Sequence, residues 1–339
     1  MQKFLIAIIL TFSHATSHGQ VQPASTDTLK VTLSEVFNTV KKFSVYRRQV
    51  NWEELEATIL FNEPNTLSLE VFKQRIQQLF STVGDVHGAL FLNNERIGAN
   101  NMQSNTISDK FVAQLRQSNI HLHTTTIGKI GYLLIPSNSS NENLTILAQA
   151  IQDSLCSLIA QPLDGIIIDL RANEGGSIYP LFSGMHQLIG DGDFGAFTDL
   201  NGERKDKWTL RRGQLHQRKR IVASVKSRCQ YPKEIPVAVL LSPITASAGE
   251  MLAIAMRGRK NTIFIGEKTY GLTTGISTFR IQNNILAVAT SFSADRKGKI
   301  YRGSVSPDIE VVGGDDFNRI HKDAKVLTAL KWFSSTKSR

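Results

Sequence analysis

Three short runs, Ile130–Pro136, Gly165–Leu170 and Pro236–Leu241, are almost unbroken in Ile, Leu and Val. A strand with one wet face alternates apolar and polar residues. A run without alternation must be buried on both faces, the condition of a parallel strand covered by helices. Between the first two runs lies 143–161, where Leu144, Leu147, Ile151, Leu155 and Leu158 recur at helical spacing. Strand, helix, strand at that separation is a βαβ unit, so the chain reads as an α/β protein.

The rest of the pattern extends this core. A helix is expected to begin close to Ser247 and to run through Met251, Leu252 and Ile254. Further strands are expected at 262–265, 285–289 and 309–312, and a last helix at 324–333. Upstream, Thr28 to Leu79 carries apolar residues at helical spacing, with Pro64 as a breaker, and reads as a small helical domain. The Asn-rich stretch from Asn93 to Asn105 reads as loop. The expected organisation is therefore a helical domain and linker over 20–115 and an α/β core over 116–339. The 339 residues, 41% of them apolar, are enough to bury such a core.

The first residues have the form of a secretory signal peptide over 1–19: Lys3, then nine mainly apolar residues from Phe4 to Phe12, then a small polar stretch. Nine residues fall well short of the roughly 20 a membrane span needs. The expectation is an exported protein, periplasmic or extracellular, with no transmembrane segment in the mature chain. Two cysteines are too few for a disulfide scaffold, and Cys156 is read as a core residue, with a bridge to Cys229 as the minor alternative.

The net charge of +10 is concentrated. Between Glu203 and Lys233 stand eleven Lys and Arg against two acids. No aromatic-interleaved groove or zinc-finger spacing accompanies them, so nucleic acid is not the expected partner. The segment, a basic insert at about 195–233, reads as a solvated loop, or as a lid over a cleft or a contact with an anionic envelope. His121 and His123, with no acid or Cys cluster nearby, are read as structural, and no metal or cofactor is expected.

The chemistry-bearing residues stand at element ends. Thr245-Ala246-Ser247-Ala248-Gly249-Glu250 places a serine where a strand gives way to a helix, and the free N–H groups of a helix start can stabilise an oxyanion. Ser247-x-x-Glu250 is also a capping box, which on spacing alone explains the same residues. The strand from Gly165 ends in Asp169-Leu170-Arg171-Ala172-Asn173-Glu174-Gly175-Gly176, whose glycines allow close backbone approach. Asp85-Val86-His87 stands at the end of the helical region, and His87 is the one of eight histidines in such a motif.

Together with Gly266-Glu267-Lys268-Thr269-Tyr270-Gly271 and Ser306-Pro307-Asp308-Ile309, these motifs resemble, in order, the tail-specific or C-terminal processing serine protease family. Leu272 stands where one branch of that family carries a catalytic lysine. The Asp-x-His motif, Thr273-Thr274 and the segment 293–301 are similar instead to the tricorn-like and nisin-resistance branch. That resemblance implies a crotonase-like fold, Ser247 as nucleophile, His87 as general base, and the N–H groups of Ala248 and Gly175 as an oxyanion hole. It leaves the orienting acid open between Glu250, preferred, and Asp295. Only 43 positions separate His87 from Ile130, too few for a PDZ module, so substrate recognition falls to the groove itself. The implied activity is endopeptidase cleavage of a peptide or protein substrate through an acyl-enzyme. The alternative is a non-catalytic peptide- or ligand-binding protein of the same fold, and an ester or lactone hydrolase would use the same site.

Overall fold

The computed structural model describes residues 26–61, 67–99, 107–138, 143–158, 162–218, 220–226, 229–231 and 234–336. The signal-peptide segment, 1–19, lies outside them. The described chain opens with helices α1 (Thr26–Phe43), α2 (Trp52–Glu56) and α3 (Leu69–Val83). Ser68 starts α3 by accepting the Val71 N–H at 3.3 Å, and Gly84 ends it at φ +77°, the left-handed position that glycine takes without a Cβ penalty. The chain then turns into β1 (Ala89–Leu92) and β2 (Glu95–Gly98).

That hairpin corrects one expectation. Asn93 and Asn94 do not begin a loop but form the two-residue turn between β1 and β2, both at positive φ (+50° and +67°). Asparagine is among the few residues that tolerate two such positions in succession, so the polarity marks a tight turn.

The core follows in chain order: α4 (Asp109–Gln117), β3 (His123–Ile127), β4 (Ile130–Leu134), α5 (Leu144–Ser157), β5 (Gly165–Asp169), α6 (Ile178–Gly184) and α7 (His186–Ile189). Four strands come next, β6 (Gly192–Thr198), β7 (Arg204–Arg211), β8 (Gln214–Gln217) and β9 (Arg220–Ser224). The last part is β10 (Val237–Leu241), α8 (Ala248–Met256), β11 (Thr262–Gly266), β12 (Thr274–Ile281), β13 (Asn284–Asp295), β14 (Ile300–Tyr301), β15 (Ile309–Glu310) and α9 (Ala324–Thr336).

One sheet has the order β15-β11-β10-β5-β4-β3, parallel except for β3. The three apolar runs are its central strands β4, β5 and β10, and every residue of each is buried. One face packs on α9 through Val326, Ala329 and Phe333. The other packs on α5, α6 and α8. The fold is thus the expected α/β class with N-terminal helices.

The second sheet, β2-β1-β13-β6-β7-β8-β9 with β12 and β14 also on β13, is antiparallel and covers the far side of α8. Leu33, Phe37, Phe72 and Leu79 of α1 and α3 share a hydrophobic cluster with Leu286 and Val288 of β13. Among the described residues no helix is long and apolar enough to cross a membrane.

The basic segment is not the solvated loop expected from its charge. Its chain forms β6 to β9, and Phe194, Trp208, Leu210 and Leu215 turn inward into the main core while the cations alternate outward. Dense charge on the wet face hid a period-two apolar pattern. The reading of Cys156 as an unpaired core residue is also corrected: it is bonded to Cys229, the Cα atoms 5.5 Å apart, tying α5 to the chain just after β9. The two residues lie 73 positions apart, and sequence spacing carries no information about such a closure.

Candidate active site

Ser247 stands immediately before α8, whose nine residues are all buried between the sheets. Its backbone is at φ +46°, ψ −110°, a conformation that costs an L-residue of order 1–3 kcal/mol and persists only where its surroundings enforce it. The enforcing groups are visible. Ala246 N–H donates to the Asn173 carbonyl at 2.9 Å. Ser247 N–H donates to Glu250 Oε2 at 3.0 Å, the carboxylate half of the capping box.

Glu250 is fully buried. Its Oε1 accepts the N–H of Gly271 at 2.8 Å and the hydroxyl of Thr269. It therefore staples the third sequence motif to the serine turn. Burial pushes its carboxyl up to about 7, against the opposing effect of these donors, which favour the anion.

The Asn173–Gly176 turn lies against the serine from the other side. Asn173 Nδ2 donates to the Pro136 carbonyl at 2.9 Å, and its Oδ1 accepts the Gly175 N–H at 3.2 Å. Gly175 is at φ +132°, and a Cβ there would stand 3.1 Å from Ser247 Cβ. At Gly176, φ +119°, a Cβ would fall 1.6 Å from the Asn138 carbonyl oxygen. Only glycine allows this approach. Beneath the turn, fully buried Arg171 pairs with Asp169, Asp315 and Asp323, each at 2.6 Å.

His87 comes from the turn between α3 and β1. Asp85, itself buried, accepts Gly88 N–H at 2.7 Å and Ala289 N–H at 2.8 Å, and so pins that turn to β13. His87 Nδ1 lies 2.9 Å from Thr274 Oγ1, at the start of β12. The imidazole is buried, and burial together with the nearby Arg96 guanidinium lowers its pKa from 6.5 to about 4, so the ring is neutral at ordinary pH.

The structure brings Ser247, His87, Gly175 and Thr274 to the wall of one cleft of about 1460 Å³, beyond the 300–1,000 Å³ usual for a small-molecule pocket and long enough for an extended chain. Neither candidate acid is hydrogen-bonded to the imidazole. Glu250 serves the serine turn. Asp295 is engaged in its own turn, where Oδ1 accepts the N–H groups of Lys297 and Lys299 and Oδ2 the Tyr301 hydroxyl. Ala248 is the first residue of α8. His121 and His123 stack on each other with ring centroids 5.1 Å apart, and no metal-binding cluster occurs among the described residues.

Sequence reasoning missed two roles. Thr274 as the partner of His87 was signalled only by the Thr273-Thr274 pair, and Arg96 sat inside a stretch read as loop.

An α/β core with N-terminal helices, carrying a strained serine at the head of a buried helix in a long cleft, defines a protein of the protease-fold class. The chain belongs to peptidase family S41, whose sequence model matches residues 129–311. The matched stretch contains Ser247, Gly175 and Glu250 and leaves His87 outside it. Over 157 residues the chain is 31% identical to the nisin-resistance protein of Lactococcus lactis subsp. lactis, covering 45% of this chain and 48% of that protein. Over 186 residues it is 24% identical to the chloroplastic C-terminal processing peptidase of Tetradesmus obliquus, covering 54% of this chain and 35% of that one. The matches thus span less than half the length of these curated relatives. Among solved structures, a lipoprotein from Streptococcus agalactiae superposes with a TM-score of 0.65 at 18% identity, over 94% of this chain and 100% of the other.

Proposed function

We propose that the protein is a serine endopeptidase that cuts peptide bonds through an acyl-enzyme, with Ser247 as nucleophile and His87 as general base. The observation that carries this is the backbone of Ser247. A non-glycine residue held at φ +46°, ψ −110° on the tip of a strand-to-helix turn is strain located where a nucleophile must protrude. A serine that merely caps a helix takes ordinary extended backbone and needs none of it.

Neutral His87 takes the Ser247 proton as Oγ attacks the scissile carbonyl, then returns it to the leaving amine; water repeats the sequence on the acyl-enzyme. Thr274 sets the orientation of the imidazole from the Nδ1 side. The Ala248 N–H, at the head of α8, is the oxyanion donor, and the Gly175 N–H contributes by sharing its bond to Asn173 Oδ1. Glu250 positions the serine turn rather than the histidine.

Substrate enters as an added strand. Among the described residues β12 pairs with β13 alone, and its free edge, from Thr274 to Phe279, lines the cleft. An extended peptide can hydrogen-bond along such an edge and present alternate side chains to the walls. The basic strands β7 to β9 bring Lys205, Arg218 and Arg220 to the rim of the same cleft. Export fits the Cys156–Cys229 disulfide, a bond that persists in oxidising compartments. We read residues 20–115 as a helical unit and 116–339 as the peptidase core, the site forming between them.

A fluorophosphonate probe tests the reading. Labelling mapped to Ser247 by mass spectrometry, and absent from Ser247→Ala and His87→Ala, is expected. A folded wild-type protein that takes no label would leave the cleft as a binding groove.

A further inference from the structure

Charge in the cleft is almost everywhere matched. Arg218 is held by Asp206, and Lys205 by Glu203 and Asp199 at 3.4 Å or closer. Arg96 on β2 is the exception beside His87. It lines the cleft, yet it forms no ion pair among the described residues. Only its Nη2 is engaged, on the carbonyl oxygens of Val86, His87 and Gly88 at 3.2–3.5 Å. The carboxylate nearest in sequence on that turn, Asp85, is spent on the N–H groups of Gly88 and Ala289.

A guanidinium carries five donors in a planar fork, and a half-buried one left without an acid has lost hydration without gaining a counter-ion. The natural complement of Nε and Nη1 is a carboxylate bound side-on. Because Nη2 rests on the His87 carbonyl itself, a ligand on the other edge of the fork lies close to the reacting bond. On the reading that Ser247 and His87 cut peptides, we propose that Arg96 is the receptor for a substrate carboxylate in the cleft, so that the enzyme selects peptides presenting an acid next to the scissile bond. The acid is either an Asp or Glu side chain or the chain's own terminus.

The test uses the full-length Ser247→Ala protein, immobilised, and a pool of synthetic randomised decapeptides read by mass spectrometry. One pool has free C-termini, a second is C-terminally amidated, and a third has Gln and Asn in place of Glu and Asp. Carboxylate-bearing peptides are expected to be retained about tenfold or more over their neutral counterparts, the difference a charge-assisted bidentate bond supports. The amide pool and the Gln/Asn pool show which source of acid is read. Arg96→Gln in the same background should abolish the selection, and Arg96→Lys should keep part of it. Equal retention of acid and neutral peptides, selection that survives in Arg96→Gln, or no retention of any peptide would overturn the proposal. The acid-against-amide comparison needs no change at Arg96, so a variant that fails to fold does not rescue it. The two readings fail separately: carboxylate selection without fluorophosphonate labelling of the wild type removes the peptidase, and labelling without selection removes the receptor.

Discussion

His87 Nδ1 and Thr274 Oγ1 meet at 2.9 Å across 187 positions of chain. A helix-to-strand turn and the first residue of an edge strand thereby become one unit. Where serine peptidases often place a carboxylate behind the imidazole, this protein places a hydroxyl, and that substitution shapes how the site should behave.

A hydroxyl can hold the ring and fix its tautomer without raising its basicity as an anion would. Thr274→Val keeps the volume and removes the bond, and it should slow fluorophosphonate labelling of Ser247 by about tenfold, in line with one lost buried hydrogen bond. Thr274→Ser should restore most of the rate. An unchanged rate in the valine variant would reduce Thr274 to packing.

The pH profile follows from the buried ring. With its pKa lowered to about 4 by burial and by Arg96, His87 stays a competent base far into acid. Labelling should hold steady down to about pH 5 and halve near pH 4, with no inflection at 6.5. The linkage has a definite sign: the folded state binds fewer protons than the unfolded one between 4 and 6.5. The stability it contributes is full above 6.5 and is lost as pH falls through 4. An inflection near 6.5 in the rate profile would remove this account.

Glu250 runs the other way. Burial raises its carboxyl to about 7, so its contribution to stability is full below 4.5 and is lost as pH rises through 7. Glu250→Gln imitates the protonated acid and should flatten that slope. Urea unfolding from pH 4 to 8 should show the wild type losing stability relative to the variant as pH rises. The variant should also label more slowly, because an amide nitrogen cannot accept the N–H of Ser247 or Gly271 as the carboxylate does.

The disulfide should matter for stability more than for chemistry. It closes a loop of 73 residues that includes β6 to β9. Replacing both cysteines by alanine should cost about 2–4 kcal/mol in urea unfolding while leaving the labelling rate of the folded protein unchanged. An equal stability with and without the bond would argue that β6 to β9 hold their place by packing alone.

How legible all this was depended on the range of the interaction. Ile130–Pro136, Gly165–Leu170 and Pro236–Leu241 announced buried parallel strands because burial on both faces forbids polar residues, a constraint written locally. The helical spacing of Thr28 to Leu79 and the glycines at 175 and 176 were equally local, the first set by the helical repeat and the second by backbone sterics. By itself, then, the sequence determined the elements, the α/β class and the motifs in their order. It did not determine what met what. Cys156 with Cys229, His87 with Thr274, Glu250 with the 269–271 segment, and Arg96 left without an acid are pairings across long stretches of chain. They exist because two sheets close over α8 and bring distant residues within bonding distance, and only the tertiary structure decides which partners, and which vacancies, that closure creates.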